Sequence, residues 1–268
     1  AKVDAIIGAG ASGVTIEAFN KVAKDARVLM MSPSATSPAI SNLPDGGLLW
    51  RTAPSDAVQG RAIARYIVAK GYDKIGIVNR NDAYGNGLAA TIQGTLCDGG
   101  FLCNSDTLLN RTYTDQGGQA QVDEQATAVA DFAAFGPDAI VLIGYVQDGI
   151  DLLNIANGSG FRFILTDGMR DTALLGTSAN QVGVADPNLL CTIVGTFPAS
   201  PSGELFDAFA FAYEGQFTTP PATFSANAYD AAYLIALAYA AAQGGNVGDP
   251  DGRALAEGLT RLSRGSPI

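Results

Sequence analysis

The chain has 268 residues, of which 47% are hydrophobic and 16% are charged, and its formal net charge is −10. This composition is typical of a folded protein with one or two domains. An acidic surface repels phosphate backbones, so we expect no nucleic-acid partner. The sequence contains no histidine, which excludes a Ser-His-Asp triad, a Cys-His dyad and an HExxH zinc site.

The predicted elements, taken along the chain, alternate between short apolar runs and longer amphipathic stretches. The predicted strands are residues 3–8, 28–32, 74–79, 139–145, 161–167 and 189–197. The predicted helices are residues 12–25, 55–70, 84–98, 119–135, 147–157, 202–216, 224–242 and 250–262. Such alternation predicts an α/β fold in which helices cover both faces of a parallel sheet. No apolar run reaches the roughly 20 residues that a membrane-spanning helix needs. The sequence runs directly into the first predicted strand, so we expect any signal peptide to have been removed.

The three cysteines allow two interpretations. Cys97 and Cys103 flank a predicted helix end and a Gly-Gly turn, so a disulfide between them is one prediction and would suit an oxidising compartment. Two unrelated thiols remain the alternative, because spacing alone does not fix connectivity. Cys191 lies in an apolar run and is predicted to be a small core residue.

Ligands of open α/β sheets bind beyond the carboxyl ends of strands, where loops lead into helices. After the first strand, Gly8, Gly10 and Gly13 match the GxGxxG dinucleotide fingerprint. The next strand ends in Ser32 and lacks the acid that would hold a ribose, so an NAD(P)-dependent enzyme is only an alternative. The simpler interpretation is a loop in which an anion approaches backbone N–H groups and Ser12 adds a hydroxyl.

The other strand ends carry further polar and aromatic residues. Residues 32–38 hold four hydroxyl side chains among prolines, either as a hydrogen-bonding loop or as an ordinary turn. Asn81 or Asp82 is predicted to cap the next helix, near whose start Tyr84 turns an aromatic face and a polar tip toward any cleft. Asp167 ends the fifth strand, where a carboxylate can pair with a ligand ammonium or form an ordinary Asp-Gly turn.

Residues 6–15, 28–38 and 82–87, with the later Asp167-Gly168 and residues 228–231, resemble the branched-chain amino acid (Leu/Ile/Val)-binding type of periplasmic solute-binding proteins of type I fold. Those proteins serve ABC importers. The resemblance implies two Rossmann-like lobes with parallel sheets and an interdomain hinge. Residues 1–54 and 198–268 would form one lobe, residues 55–197 the other, and the ligand would bind between them.

The resemblance also implies roles for single residues. The positions that match the carboxylate-binding side are Ser12, Ser34, Ala35 and Thr36. Tyr84 and Tyr145 match aromatic residues that line the cleft. Asp167 matches the acid that takes the ligand's α-ammonium, and Phe224 matches an aromatic residue that touches the ligand side chain.

Two departures from the family pattern matter. The family's acid is a glutamate, so Asp167 is one methylene shorter and would need a bridging water or a different ligand, such as an amide or an aromatic acid. The family's opening strands and C-terminal tail have no counterpart, so the first lobe is expected to be incomplete. The strand at residues 3–8 would then have an open apolar edge, and the chain would be a fragment or would receive strands from another polypeptide.

These features predict an extracytoplasmic solute-binding protein rather than an enzyme. Its partners would be a small amino acid-like ligand and the permease of an ABC importer, with no cofactor and no metal. Lobe closure around the ligand would be its mechanism. It would lie in the periplasm or elsewhere outside the cytoplasm, with a lipid anchor as one option. A ligand-sensing receptor ectodomain that uses the same cleft is the other alternative.

Overall fold

The structure, a computed structural model, describes residues 3–176, 183–199, 202–244 and 249–262. The chain divides into two compact units. The first unit comprises Ala1–Pro54 and Ala199–Ile268, and the second comprises Ser55–Pro198. The second unit is therefore one continuous stretch of chain between the two parts of the first.

The described residues form short strands separated by helices. The strands are β1 (Ala5–Ile7), β2 (Leu29–Ser32), β3 (Leu49–Arg51), β4 (Ile75–Arg80), β5 (Leu108–Tyr113), β6 (Ala139–Ile143), β7 (Phe163–Leu165) and β8 (Val194–Gly195). The helices are α1 (Ser12–Ala18), α2 (Lys24–Ala26), α3 (Pro38–Ser41), α4 (Asp56–Ala69), α5 (Ala83–Asp98), α6 (Gly118–Phe135), α7 (Val146–Ile155), α8 (Pro187–Leu190), α9 (Glu204–Phe217), α10 (Ser225–Gln243) and α11 (Gly252–Leu262). A π-helical turn (Phe19–Ala23) joins α1 to α2.

Each unit contains one sheet, and every strand pair in the described residues is parallel. The strand order is β1-β2-β3 in the first unit and β5-β4-β6-β7-β8 in the second. The predicted α/β fold class with parallel sheets is confirmed.

Helices cover both faces of the second sheet. Successive side chains of a strand point to opposite faces, so each central strand packs against helices on both sides. Ile75 and Ile77 of β4 pack in a cluster with α4 and α5. Val78 packs on the other face with α6 and α7. In β6, Val141 belongs to the cluster with α4 and α5, and Ile140 belongs to the cluster with α6 and α7. Burial on both faces explains why these strands are almost continuously apolar.

An apolar face of the first unit is exposed to solvent. Among the described residues β1 pairs only with β2, and Ile7 of β1 is half exposed. Helix α10 is apolar on two opposite sides: Ala231 and Ala238 are buried on one side, and Tyr233 and Leu237 are exposed on the other. A helix that is apolar all round is normally buried. The expected open apolar edge is therefore present in the described part of the first unit.

Every predicted helix is present, and its ends differ from the prediction by at most two residues when α1, the π-helical turn and α2 are taken as one helix. Ser55 caps α4 by accepting a hydrogen bond from the backbone N–H of Ala57, and Asp82 caps α5 in the same way. Along the described part of the chain, no helix combines the length and the hydrophobicity needed to cross a bilayer.

The predicted strand at residues 189–197 is wrong for most of its length. Pro187–Leu190 form α8, and only Val194–Gly195 pair with β7. The side chain of Asp186 accepts a hydrogen bond from the backbone N–H of Asn188 and caps this helix. An aspartate followed by proline is a helix-start signal that outweighs the apolar run after it.

Two strands were not predicted. β5 reads LLNRTY and is only partly buried, so it lacks the continuous apolar run of the central strands. It lies at the edge of the second sheet, where polar side chains are tolerated. β3 has only three residues, which is too short for a clear period-two pattern.

The structure tests both cysteine predictions. Cys97 and Cys103 are joined as a disulfide, which confirms the first interpretation. Cys191 is exposed, so its prediction as a core residue is wrong. The cause is the misassigned strand, since Cys191 follows α8 in a turn and has no sheet position to bury it.

Candidate ligand-binding site

The strand order of the second unit contains a switch point, because β5 lies on one side of β4 and all later strands lie on the other. Ligands of open parallel sheets bind beyond the carboxyl ends of strands at such a point. Three loops meet there, after β4, β6 and β7. Each contributes one predicted site residue: Tyr84, Tyr145 and Asp167.

Tyr84 supports the carboxylate of Asp167. Their side chains are buried, with residue exposures of 3% and 7%. The Tyr84 hydroxyl donates to Oδ1 of Asp167 at 2.7 Å and lies 3.0 Å from Oγ1 of Thr166. The ring of Tyr84 is buried within the second unit, and its hydroxyl holds the carboxylate of Asp167 in place.

Asp167 has no cationic partner among the residues that the structure describes. Burial raises the pKa of Asp167, because a carboxylate loses hydration inside the protein. Hydrogen bonds from Tyr84, from the Gln59 side chain and from backbone N–H groups oppose that shift in pKa. The ion pairs of the described residues do not include Asp167. A buried carboxylate with donors but no counter-charge is suited to bind a cationic group.

Tyr145 is fixed by aromatic and cationic neighbours. Its ring stacks on that of Tyr84 with centroids 5.5 Å apart, and the guanidinium of Arg80 lies 5.5 Å from its centroid. Burial raises the pKa of Tyr145, so the hydroxyl stays protonated at neutral pH. The position of Tyr145 is therefore coupled to that of Tyr84, and through Tyr84 to Asp167.

A buried ion pair underlies this aromatic pair. Nη1 of Arg80 lies 3.1 and 3.3 Å from the two carboxylate oxygens of Asp148. Asp148 also accepts hydrogen bonds from the backbone N–H of Tyr145 and from Nε2 of Gln121, both at 2.8 Å. Burial lowers the pKa of Arg80, but the charges of Asp148 and Asp82 raise it more, so the guanidinium stays charged. Neither Arg80 nor Asp148 was predicted as a site residue.

Gly168 lets two of the loops approach each other closely. A Cβ atom at this position would lie 2.4 Å from the carbonyl oxygen of Gly144 and 3.3 Å from the Tyr84 hydroxyl. Only glycine permits this approach without a backbone shift. The Asp-Gly pair is thus more than an ordinary turn, since Gly168 lets the segment with Asp167 pack against the loop after β6.

Gln59 of α4 also belongs to this cluster, although it was not predicted. Its Nε2 donates to the carbonyl oxygen and to Oγ1 of Thr196, at 3.1 and 3.0 Å. Gln59 is 9% exposed, and no donor among the described residues reaches its Oε1. It lies on the same buried helix stripe as Ile63 and Ile67. A polar residue on an apolar stripe is the signal that could have identified it.

A cavity of about 570 Å³ opens beside these groups in the second unit. Its lining includes Thr166 and Thr196 together with apolar side chains such as those of Met169, Leu174 and Ile193. Space for an apolar group therefore begins one residue away from Asp167.

In the first unit, serine hydroxyls tie the loop after β1 to the loop after β2. Ser32 Oγ donates to the carbonyl oxygen of Ala9 at 2.6 Å, and Ser12 Oγ accepts from the backbone N–H of Ser37 at 3.1 Å. Ser34 Oγ donates to the backbone of the first loop at 2.9 Å. Ser12 and Ser34 thus belong to the bonds that join these two loops.

Helix α1 begins at Ser12, and no side chain among the described residues caps it. The first N–H groups of a helix have no intrahelical partner and favour anions. Thr36 is buried in the loop to which Ser12 is bonded. A hydroxyl that accepts one hydrogen bond can still donate another, so Ser12 can also bind an anion. This end of the first unit has the donors that a carboxylate needs.

Arg51, which was not predicted, holds the second loop. Its guanidinium donates to the carbonyl oxygens of Ala35 and Ser37, at 3.2 and 2.8 Å, and to Oγ of Ser41 at 2.6 Å. The N–H of Ala35 is bonded to Oγ of Ser32 at 3.0 Å. Both backbone groups of Ala35 are therefore engaged within the unit, so Ala35 shapes the loop.

Phe224 lies at the first residue before α10. Near the start of that helix, Nδ2 of Asn227 donates to the carbonyl oxygen of Thr52, and Oγ1 of Thr52 donates to the carbonyl oxygen of Asn227, both at 2.8 Å. Thr52 follows β3, so these bonds attach the start of α10 to the carboxyl end of the first sheet. Phe224 is partly buried near that edge.

The predicted residues thus fall into two groups. The first unit holds Ser12, Ser34, Ala35, Thr36 and Phe224, and the second holds Tyr84, Tyr145 and Asp167. Within each group the residues lie at the carboxyl edge of a parallel sheet. An α/β protein with such polar strand ends in each of two units has the architecture of a small-molecule-binding protein.

Comparison with known proteins assigns the family. The sequence matches the periplasmic binding protein family over residues 1–265. It is 31% identical to the chemotactic signal transduction system substrate-binding protein BasB of Halobacterium salinarum, over 97% of this chain and 57% of that protein. It is 28% identical to a leucine-, isoleucine-, valine-, threonine- and alanine-binding protein of Pseudomonas aeruginosa, over 80% of this chain and 53% of that protein.

The fold comparison agrees. The leucine-binding protein LivK of Thermotoga maritima has a TM-score of 0.74 at 21% identity, with 96% of this chain and 68% of that chain covered. The chain spans about half the length of the curated relatives it matches. Because the family match covers almost the whole chain, the chain belongs to the periplasmic binding protein family.

Proposed function

We propose that this chain is part of an extracytoplasmic solute-binding protein that captures an amino acid or a closely related small carboxylate and catalyses no reaction. The observation that carries the proposal is Asp167, a buried carboxylate held by Tyr84 at 2.7 Å without a cationic partner among the described ion pairs. An α-ammonium group supplies the missing charge.

The two units would act as the two lobes of the receptor. The ligand carboxylate would bind the first unit, at the start of α1, with Ser12, Thr36 and groups near Ser34. The ammonium would bind Asp167 in the second unit, and Phe224 would contact the side chain. A ligand that contacts both units favours the form in which they are closed, so ligand affinity drives closure.

Two biological roles fit this chemistry. Uptake of an amino acid is compatible with the P. aeruginosa relative, which is named as a leucine-, isoleucine-, valine-, threonine- and alanine-binding protein. Delivery to the permease of an ABC importer and a position in the periplasm, or elsewhere outside the cytoplasm, follow from that role. Ligand sensing is favoured by the H. salinarum relative, which is named as a component of chemotactic signalling. Both roles use the same binding step.

A dinucleotide-binding enzyme is not supported by the loop after β1. Ser32 stands at the end of β2, where an acid would hold the ribose, and its hydroxyl is bonded to the carbonyl oxygen of Ala9 at 2.6 Å. The same loop is instead tied to the hydroxyl-rich loop that follows β2.

A thermal-shift screen tests the proposal. The panel holds the common L-amino acids, small amides and aromatic carboxylates, with NADH and NADPH as controls for the enzyme alternative. A ligand at a hundredfold excess over its Kd stabilises the folded protein by about 2.7 kcal/mol. We expect a shift with an amino acid and none with the dinucleotides. A shift with dinucleotides alone, or with no compound of the panel, would contradict the proposal.

A further inference from the structure

We propose that Gln59 is a second ligand-binding residue of the second unit, whose Oε1 accepts a hydrogen bond from the ammonium group that Asp167 binds. This inference rests on the proposed function and specifies its ligand as a primary amine. Gln59 has no counterpart among the residues to which the resemblance assigns roles.

Contacts along the sheet place Gln59 beside Asp167. The backbone N–H of Thr196 donates to the carbonyl oxygen of Leu165 at 3.1 Å, which aligns Thr196 with the end of β7. Gln59 donates to both oxygens of Thr196. The Gln59 side chain also lowers the pKa of the Asp167 carboxyl group, which agrees with this placement.

These contacts fix the orientation of the amide. The carbonyl oxygen of Thr196 can only accept a hydrogen bond, so the atom that faces it must be Nε2. Nε2 therefore faces the two oxygens of Thr196, and Oε1 is the atom left without a donor among the described residues.

A buried acceptor without a donor costs free energy, so its persistence calls for an explanation. Gln59 is more than nine-tenths buried, and the nearby carboxylate of Asp167 takes part in no ion pair of the described residues. A primary ammonium carries three donors and can serve both acceptors at once. A carboxylic acid without the amine offers neither the charge nor the donors.

The test compares each amino acid with its counterpart that lacks the amine. Titration calorimetry measures L-leucine against 4-methylpentanoic acid, L-valine against 3-methylbutanoic acid and L-alanine against propanoic acid. We expect Gln59→Met to reduce the preference for the amine at least about tenfold, which corresponds to about 1.4 kcal/mol. Affinity for the amine-free acids should stay within about threefold, since they make no contact with Oε1.

A pH series distinguishes direct contact between Gln59 and the ligand ammonium from an indirect effect of Gln59 on the pKa of Asp167. If Gln59 acted only as a donor to Asp167, its loss would raise the pKa of that carboxyl group, and amine affinity would recover fully at higher pH. Recovery to the wild-type value would overturn the inference. A loss that persists on the high-pH plateau is the expected result.

Gln125→Met is the matched control. Gln125 is also buried in the second unit, its Nε2 donates to the carbonyl oxygen of Asp148 at 3.2 Å, and no donor of the described residues reaches its Oε1. It lies on α6, which packs on the opposite face of the sheet from α4. Its substitution should leave the amine preference unchanged.

The outcomes separate this inference from the proposed function. A wild-type protein that binds an amino acid, with an unchanged preference in Gln59→Met, would overturn the inference alone. A wild-type protein that binds none of the three amino acids would contradict both. Should Gln59→Met fail to fold, Gln59→Asn, which withdraws the amide by one methylene, should lower the preference in the same direction. An unchanged preference in that variant would equally overturn the inference.

Discussion

The hydroxyl of Tyr84 donates to the carboxylate of Asp167 across 2.7 Å, although the two residues follow strands β4 and β7, which β6 separates in the sheet. This bond stabilises the ionised carboxylate in a buried position. It also links the first turn of α5 to the turn that follows β7. The electrostatics of the proposed ammonium site therefore depend on Tyr84 as well as on Asp167.

Tyr84→Phe should shift the pH dependence of ligand binding. The pKa of Asp167 is raised by burial and lowered in part by the Tyr84 bond, so removing the hydroxyl should raise it further. Because the ligand ammonium needs an ionised carboxylate, affinity falls as pH drops through this raised pKa. Calorimetric Kd values between about pH 4 and pH 9 should show the decline at higher pH in Tyr84→Phe than in the wild type.

The raised pKa of Asp167 also affects the stability of the ligand-free protein. A carboxyl group whose folded pKa lies above its unfolded value binds protons more tightly when folded. Its contribution favours folding below the unfolded pKa and is lost as pH rises through the folded pKa. Asp167→Asn should remove this contribution, so its free energy of unfolding should depend less on pH than that of the wild type. An identical pH profile of urea unfolding would contradict this assignment.

Arg80→Met should destabilise the second unit by about 3–5 kcal/mol, because it leaves the buried carboxylate of Asp148 without its counter-charge. The double variant Arg80→Met with Asp148→Asn should lose less than the sum of the single variants. Urea unfolding of the four proteins measures this coupling. Additive losses would show that the ion pair does not act as a unit.

Gly168→Ala should lower both stability and ligand affinity. Its new Cβ atom would lie 2.4 Å from the carbonyl oxygen of Gly144, so the backbone next to Asp167 must move. Overpacking of this kind costs about 1–3 kcal/mol. Gly94→Ala, in the interior of α5 with open space around the position, is the control and should stabilise the fold by up to about 1 kcal/mol. Equal effects of the two substitutions would contradict the close approach.

Loss of the disulfide between Cys97 and Cys103 should cost about 2 kcal/mol, the entropy expected for a loop with a sequence separation of 6. A reducing agent should therefore lower the Tm of the wild type and leave the variant with serine at both positions unchanged. Cys191→Ser alters an exposed residue outside the disulfide and serves as the control. A Tm that does not respond to reductant would show that the bond adds no stability.

Much of the fold was accessible from the sequence because parallel sheets leave a strong pattern. Central strands such as β4 and β6 are buried on both faces, so they appear as almost continuous apolar runs, and Ser55 and Asp82 mark helix starts. The edge strand β5 was not predicted, because it is partly exposed and its polar residues interrupt the apolar pattern of a strand. The strand at residues 189–197 was misassigned because an apolar run alone does not distinguish a strand from a short capped helix.

Most of the candidate site residues were selected because they follow strands. Tyr84, Tyr145 and Asp167 are candidates because the carboxyl ends of parallel strands meet at one edge. Gln59 and Arg51 reach the loops from a helix interior and from a short strand, and their partners are backbone carbonyls. Such contacts depend on tertiary placement, which the spacing of residues in one sequence does not encode.

The most direct test of the account is the calorimetric affinity of the wild type and of Asp167→Asn for the amino acid that gives the largest thermal shift, and for the same acid without its amine. Hydrogen bonds to charged groups contribute about 1.5–3 kcal/mol, so Asp167→Asn should weaken amino acid binding at least tenfold and leave binding of the amine-free acid almost unchanged. Unaltered amino acid affinity in Asp167→Asn would contradict the claim that this carboxylate binds the ligand ammonium.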